Sequence, residues 1–175
     1  MTDQRADGAA PPPGADGQGP RLAVLTQYVK DLSFENPRAP QANPSQLRPE
    51  IQVRVDTNAR DLGQSTYEVV LDLKAEARSG SDPLFVAELS YAGVFQISGI
   101  PADALQPLLL IQCPTLLFPF ARRILADVTR DGGFPPLMID PIDFVSLFRQ
   151  RVRAAQEQAG AASSTPPPAP TSPVG

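Results

Sequence analysis

The chain has 175 residues, with 15 Lys+Arg, 19 Asp+Glu, no His, no Trp, one Cys and 21 Pro. Without histidine there is no Ser-His-Asp or Cys-His dyad, no HExxH zinc site and no imidazole ligand to haem, and the single thiol, Cys113, can build neither a disulfide framework nor a four-cysteine zinc site. A net charge of −4 argues against nucleic acid as the main partner, since phosphate-binding faces need a local cationic excess and the only basic concentrations are Arg122-Arg123 and the spaced Arg149, Arg151 and Arg153.

Residues 1–20 contain Pro11-Pro12-Pro13, Pro20 and four glycines, with almost no apolar residue larger than alanine. Residues 159–175 are similarly rich in Pro, Ala, Ser and Thr. Neither segment carries enough apolar surface to offset the entropy of ordering, so both are expected to be disordered tails around a folded unit over residues 21–158. The start has no basic residue followed by an apolar stretch, so no secretory signal is expected. The longest apolar run, Leu108–Ile111, is far shorter than the roughly 20 residues a bilayer crossing needs. The expectation is a soluble intracellular protein with a reduced Cys113.

The folded part begins with a segment at 24–35 that ends in alternation, with Leu32 and Phe34 on one side and Asp31, Ser33 and Glu35 on the other. Asn36-Pro37, Pro40 and Pro44 stop it. A second strand is predicted over Glu50–Thr57, with Ile51, Val53 and Val55 on one face. The third, Tyr67–Arg78, is the clearest: Tyr67, Val69, Leu71, Leu73, Ala75 and Ala77 alternate with polar residues that include Glu68, Asp72, Lys74 and Glu76. Ser79-Gly80-Ser81-Asp82-Pro83 predicts a turn into a fourth strand, Leu84–Ser98, in which Ala92-Gly93 predicts a bulge or a close backbone approach.

From Gly99-Ile100-Pro101 onward the spacing turns helical. Asp103 opens a helix that Pro114 is expected to interrupt near Gln112; it resumes at Thr115 and ends at Asp131-Gly132-Gly133. A last helix starts at Pro141-Ile142-Asp143, with Asp143 as N-cap and Phe144, Leu147, Phe148, Arg151 and Val152 along one stripe. Strands first and helices afterwards is an α+β order: a four-stranded antiparallel sheet followed by two helices. The first helix is too apolar for one sheet face to cover, so an oligomer that sandwiches it between protomers is expected, with Leu109, Cys113, Leu116 and Phe120 at the interface. The linker between the helices carries Phe134, Leu137, Met138 and Ile139, an apolar load unusual for a loop. These side chains either cap the core or border a groove suited to extended polypeptide.

Lys30-Asp-Leu-Ser-Phe-Glu35, Tyr67-Glu-Val-Val-Leu71, Gly93-Val-Phe-Gln-Ile-Ser-Gly-Ile100, Cys113-Pro-Thr-Leu-Leu-Phe-Pro-Phe-Ala-Arg122 and Gly133-Phe-Pro-Pro-Leu-Met-Ile-Asp-Pro-Ile-Asp-Phe144 together resemble the SecB family of protein-export chaperones. The match runs in order through residues 24–153. It implies a homotetramer, built as a dimer of dimers, that holds unfolded secretory preproteins in the bacterial cytosol and delivers them to the translocation ATPase SecA without using ATP itself. No cofactor, metal, nucleic acid or membrane insertion is implied.

Motif by motif, the resemblance points to Phe134, Leu137, Ile139, Phe144 and Phe148 as lining a preprotein groove, with Leu47 where the family commonly has a tryptophan before the Pro-Glu that opens the second strand. It points to Asp31, Glu35, Val86 and Glu88 as the SecA-binding surface. An enzyme using Cys113 is disfavoured by the missing base. A non-chaperone oligomeric scaffold and a SecB-like chaperone dedicated to a toxin–antitoxin partner are the alternatives.

Overall fold

The computed structural model describes residues 19–40 and 49–163. Leu47 and most of both terminal segments lie outside the described residues. Four strands, β1 (Arg21–Glu35), β2 (Glu50–Gly63), β3 (Thr66–Ser79) and β4 (Asp82–Ser98), form one antiparallel sheet in the order β1-β4-β3-β2. Two helices follow, so the architecture is the α+β arrangement read from the sequence.

Period-two patterning is reproduced closely in β3, where the six residues predicted to face inward are buried or half-buried. β2 runs six residues further than expected, because Gly63 at φ +84° leads into Gln64-Ser65, both at positive φ, a tight hairpin that allows pairing right up to Gly63 and Thr66. β4 keeps its alternation through Ala92-Gly93, and both residues are in register with both neighbours, so no bulge lies there. The irregularities fall instead on β1, between Val24 and Thr26 and between Val29 and Asp31. Gly93 is a site of close approach: a Cβ there would lie 2.7 Å from Leu117 Cδ2 and 2.8 Å from Phe95 Cε2.

Helix α1 is continuous over Ala102–Asp131, which corrects the expected break at Pro114. The segment Leu108–Gln112 is π-helical, and the Cys113 N–H bonds to the Leu108 carbonyl. The extra residue in that turn absorbs the proline ring, which a regular helix would drive against the carbonyl four residues back. Cys113, Leu117, Ala121 and Leu125 recur every fourth residue and are fully buried. By length and composition α1 could cross a membrane, but this stripe is occupied by the sheet, in one core with Leu71, Leu73, Leu89 and Phe95. The glycines end it as expected. Gly132 N–H bonds to the Val128 carbonyl at 2.8 Å and Gly133 takes φ +88°.

Helix α2 (Phe144–Ser163) starts where Asp143 caps it: the Ser146 backbone N–H and hydroxyl donate to its carboxylate at 2.9 and 2.7 Å, which holds that carboxyl below its ordinary pKa. It continues five residues past the expected boundary at Gln158. Phe144 is buried and Leu147 and Phe148 half-buried, while residues 149–159 are exposed. The second half of α2 therefore projects beyond the body it starts from.

Candidate functional site

The outer sheet face brings together the four residues expected to form one acidic surface. Glu35 lies opposite Val86 and Ser33 opposite Glu88, with Asp31 one step along β1 opposite Ser90. Asp31, Glu35, Val86 and Glu88 therefore share a contiguous patch, as period-two geometry requires. Lys74, paired with Glu88 across β3 and β4, forms an ion pair with it. A shallow cleft of about 280 Å³ opens beside Asp31, Asp72, Lys74 and Glu88.

Further along the same face Glu68 behaves differently. Expected to be solvated, it is only 4% exposed. The Tyr28 hydroxyl donates to it, Lys30 Nζ lies 3.0 Å from Oε2, and Arg60 reaches the same oxygen at 3.1 Å. These bonds, that of Tyr28 foremost, keep the Glu68 carboxyl below its ordinary range, and the carboxylate in turn raises the pKa of Tyr28. Glu68 thus ties β1, β3 and β2 together, and the accessible acidity of this face is concentrated at Asp31 and Glu35.

On the opposite side, the interhelix loop turns its large apolar groups inward. Phe134 packs on Phe85, with ring centroids 4.9 Å apart, and Phe144 meets Phe118 edge to face at 6.3 Å. Leu137 and Ile139 are buried in the same core, and the Leu137 N–H donates to Thr129 Oγ1 at 2.9 Å. Of the expected groove set within the described residues, only Phe148 has substantial exposed surface; the other four cap the core. In the loop itself Met138 is the exposed apolar residue, at 60%.

The apolar hollow lies along α2. Three adjoining cavities of about 380, 400 and 410 Å³ run between β2, the π-helical turn of α1 and α2. Leu110, Val55, Leu147 and Phe148 line the middle one, and Phe148, Val152 and Ala155 line the outer one. Because β2 is an edge strand, this hollow runs beside backbone groups that no neighbouring strand occupies. Arg151 lines all three cavities and donates to the Thr57 carbonyl of β2. The sequence placed Arg151 on the apolar stripe of α2; Leu110 and Val55 were not singled out, since an apolar residue at a core-facing position gives no sign of a hollow beside it.

The residues expected at an oligomer interface fall on two faces of α1. Leu109 and Cys113 belong to the protomer's own core, and burial pushes the Cys113 thiol up to about 12. Leu116 and Phe120 face away, 42% and 46% exposed. They adjoin an uncovered inner margin of the sheet: Phe120 stacks on Tyr91 at 6.4 Å, and Val24, Val29 and Leu32 of β1 are exposed on the same inner side.

Comparison with known proteins agrees with this geometry. A family model described as preprotein translocase subunit SecB matches residues 15–155. The protein-export protein SecB of Rhodopseudomonas palustris strain TIE-1 is 51% identical over 153 residues, covering 87% of this chain and 96% of the relative. That of Parvibaculum lavamentivorans is 54% identical over 148 residues, covering 84% and 88%. Among solved structures, a SecB-like chaperone of Mycobacterium tuberculosis, in complex with a ChAD peptide from the HigA1 antitoxin, has a TM-score of 0.56 at 17% identity, covering 70% of this chain and 91% of that one. With its sheet order, its apolar hollow and near full-length identity of about one half to export proteins, the chain belongs to the SecB family of protein-export chaperones.

Proposed function

We propose that this chain captures unfolded secretory preproteins in the bacterial cytosol, keeps them extended and passes them to SecA, acting as a homotetramer and without a catalytic step of its own. The observation that carries this reading is the hollow along α2: apolar walls beside an edge strand whose backbone is free to pair. An unfolded chain needs both, since its apolar side chains seek cover and its main-chain groups need hydrogen-bond partners. Several such grooves on one assembly give tight overall capture from weak, fast-releasing contacts. Phe148 forms the wall, and Phe134, Leu137, Ile139 and Phe144 anchor the loop and helix that carry it. Leu47, close before β2, is assigned to the same groove.

Asp31, Glu35, Val86 and Glu88 are the surface for SecA, on the sheet face opposite the helices, so client and translocase are held on separate sides. The high identity to export proteins across most of the chain favours general export over a scaffold or a dedicated antitoxin chaperone. Light scattering on the size-exclusion peak tests the assembly: four copies of 18.7 kDa give about 75 kDa, and the mass should grow by one client when a slow-folding denatured polypeptide is added. Glu88→Lys should lower SecA affinity at least tenfold, the scale of a reversed charge at close range, with client capture and mass unchanged. An unaltered SecA affinity would remove this surface from the docking site.

A further inference from the structure

The three cavities along α2 meet at one charged side chain. Arg151 reaches from α2 to β2, donating to the Thr57 carbonyl, with Asn58 Oδ1 at 3.5 Å and Asp56 Oδ1 at 3.6 Å. β2 borders the sheet, so part of its backbone points away from β3. The Thr57 carbonyl is such a group, because a residue outside the sheet takes it. A guanidinium thus stands in the middle of apolar walls and covers an edge acceptor that an incoming strand would use.

We propose that Arg151 gates this groove: it closes the edge of β2 while the groove is empty and swings out when an extended, uncharged apolar segment of polypeptide enters, whose backbone N–H takes over the Thr57 carbonyl. The inference rests on the groove being the client site. The gate is weak by construction. The Arg151 side chain is half exposed and its counterion Asp56 is more so, so the ion pair is screened and opens readily. While closed, it keeps the edge from pairing with the edge of another copy, the hazard of any bare strand. A client binds with its intrinsic affinity reduced by the fraction of time the gate is shut.

A residue that only braced α2 against β2 would have the opposite signature, because removing a brace loosens the groove and weakens binding. The test is fluorescence titration of the full-length protein with a labelled, neutral, apolar peptide held extended by alternating bulky residues. Arg151→Met keeps the apolar stem and removes the charge, and should bind about three- to tenfold tighter, the range spanned by a screened charged hydrogen bond. Arg151→Lys should stay near the parent, and added salt should narrow the gap by weakening the parent's ion pair. Equal or weaker binding by Arg151→Met, at unchanged circular dichroism and assembly mass, overturns the gate. Phe148→Asp separates the two ideas. If it leaves affinity intact the groove reading falls with the gate, whereas if it weakens binding while Arg151→Met does not tighten it, the gate alone falls.

Discussion

Glu68 is an outward-facing carboxylate kept from water by side chains laid over the sheet. Because the pKa in the folded chain is depressed, the folded state gains from ionisation: the stabilisation is complete above the ordinary glutamate value of 4.5 and is lost as pH falls through the lower folded value. Glu68→Gln keeps the shape and removes the charge. It should lower the unfolding free energy at neutral pH by about 1 kcal/mol, since the cover is shallow and solvent screens the ion pairs. In urea titrations the difference from the parent should vanish toward pH 3. A gap that persists in acid would mean that Glu68 acts through packing alone. Composition could not foresee this residue: alternation put it on the solvent face, and only the register that sets Tyr28, Lys30 and Arg60 around it explains its burial.

Elements were legible to the extent that a local pattern decides them. β3 alternates without a fault because both its neighbours are strands and α1 covers its inner face, so every position has one fixed surrounding. β1 and β2 show the same alternation, yet Val29 and Ile51 stay exposed because they stand at the margins, where the helices do not reach. Pro114 misled because its helix-breaking tendency assumes four-residue hydrogen bonding, and a π turn relaxes that constraint. The acidic surface was readable, since strand geometry alone gathers Asp31, Glu35, Val86 and Glu88. The groove was half readable: aromatic and aliphatic residues were found, but residue type does not tell a wall from its foundation, and Phe134 and Phe144 proved to be foundation. The outer part of α2 follows from the same distinction. Ending the chain after Ala155 removes only exposed residues of the helix and should move the unfolding free energy by no more than about 0.5 kcal/mol. Client affinity should fall several-fold, because Gln156 and Ala159 border the outer cavity. A large loss of thermal stability would show that this end of the helix packs on something within the assembly.

At the scale of the molecule, apolar surface remains where one protomer has nothing left to cover it. Leu117 and Phe120 sit three residues apart on α1, one fully buried against the sheet and the other nearly half exposed. Both are large and apolar, so composition treats them alike; the helical turn assigns one to the fold and the other to the partner. Phe120→Asp places a carboxylate on the outward face, where a single protomer can solvate it, so each protomer should fold with unchanged circular dichroism. In the tetramer the same charge would be enclosed between helices, and the scattering mass should drop from about 75 kDa to about 37 kDa, four copies of 18.7 kDa giving way to two. Leu117→Asp is the contrasting substitution. There the charge would be buried within the protomer's own core, and the expected result is unfolding at any concentration. A Phe120→Asp protein that stays at about 75 kDa, four copies of 18.7 kDa, would leave the exposed stripe of α1 outside the interface and move the search to the uncovered margin of β1, where Val24, Val29 and Leu32 offer the other apolar face.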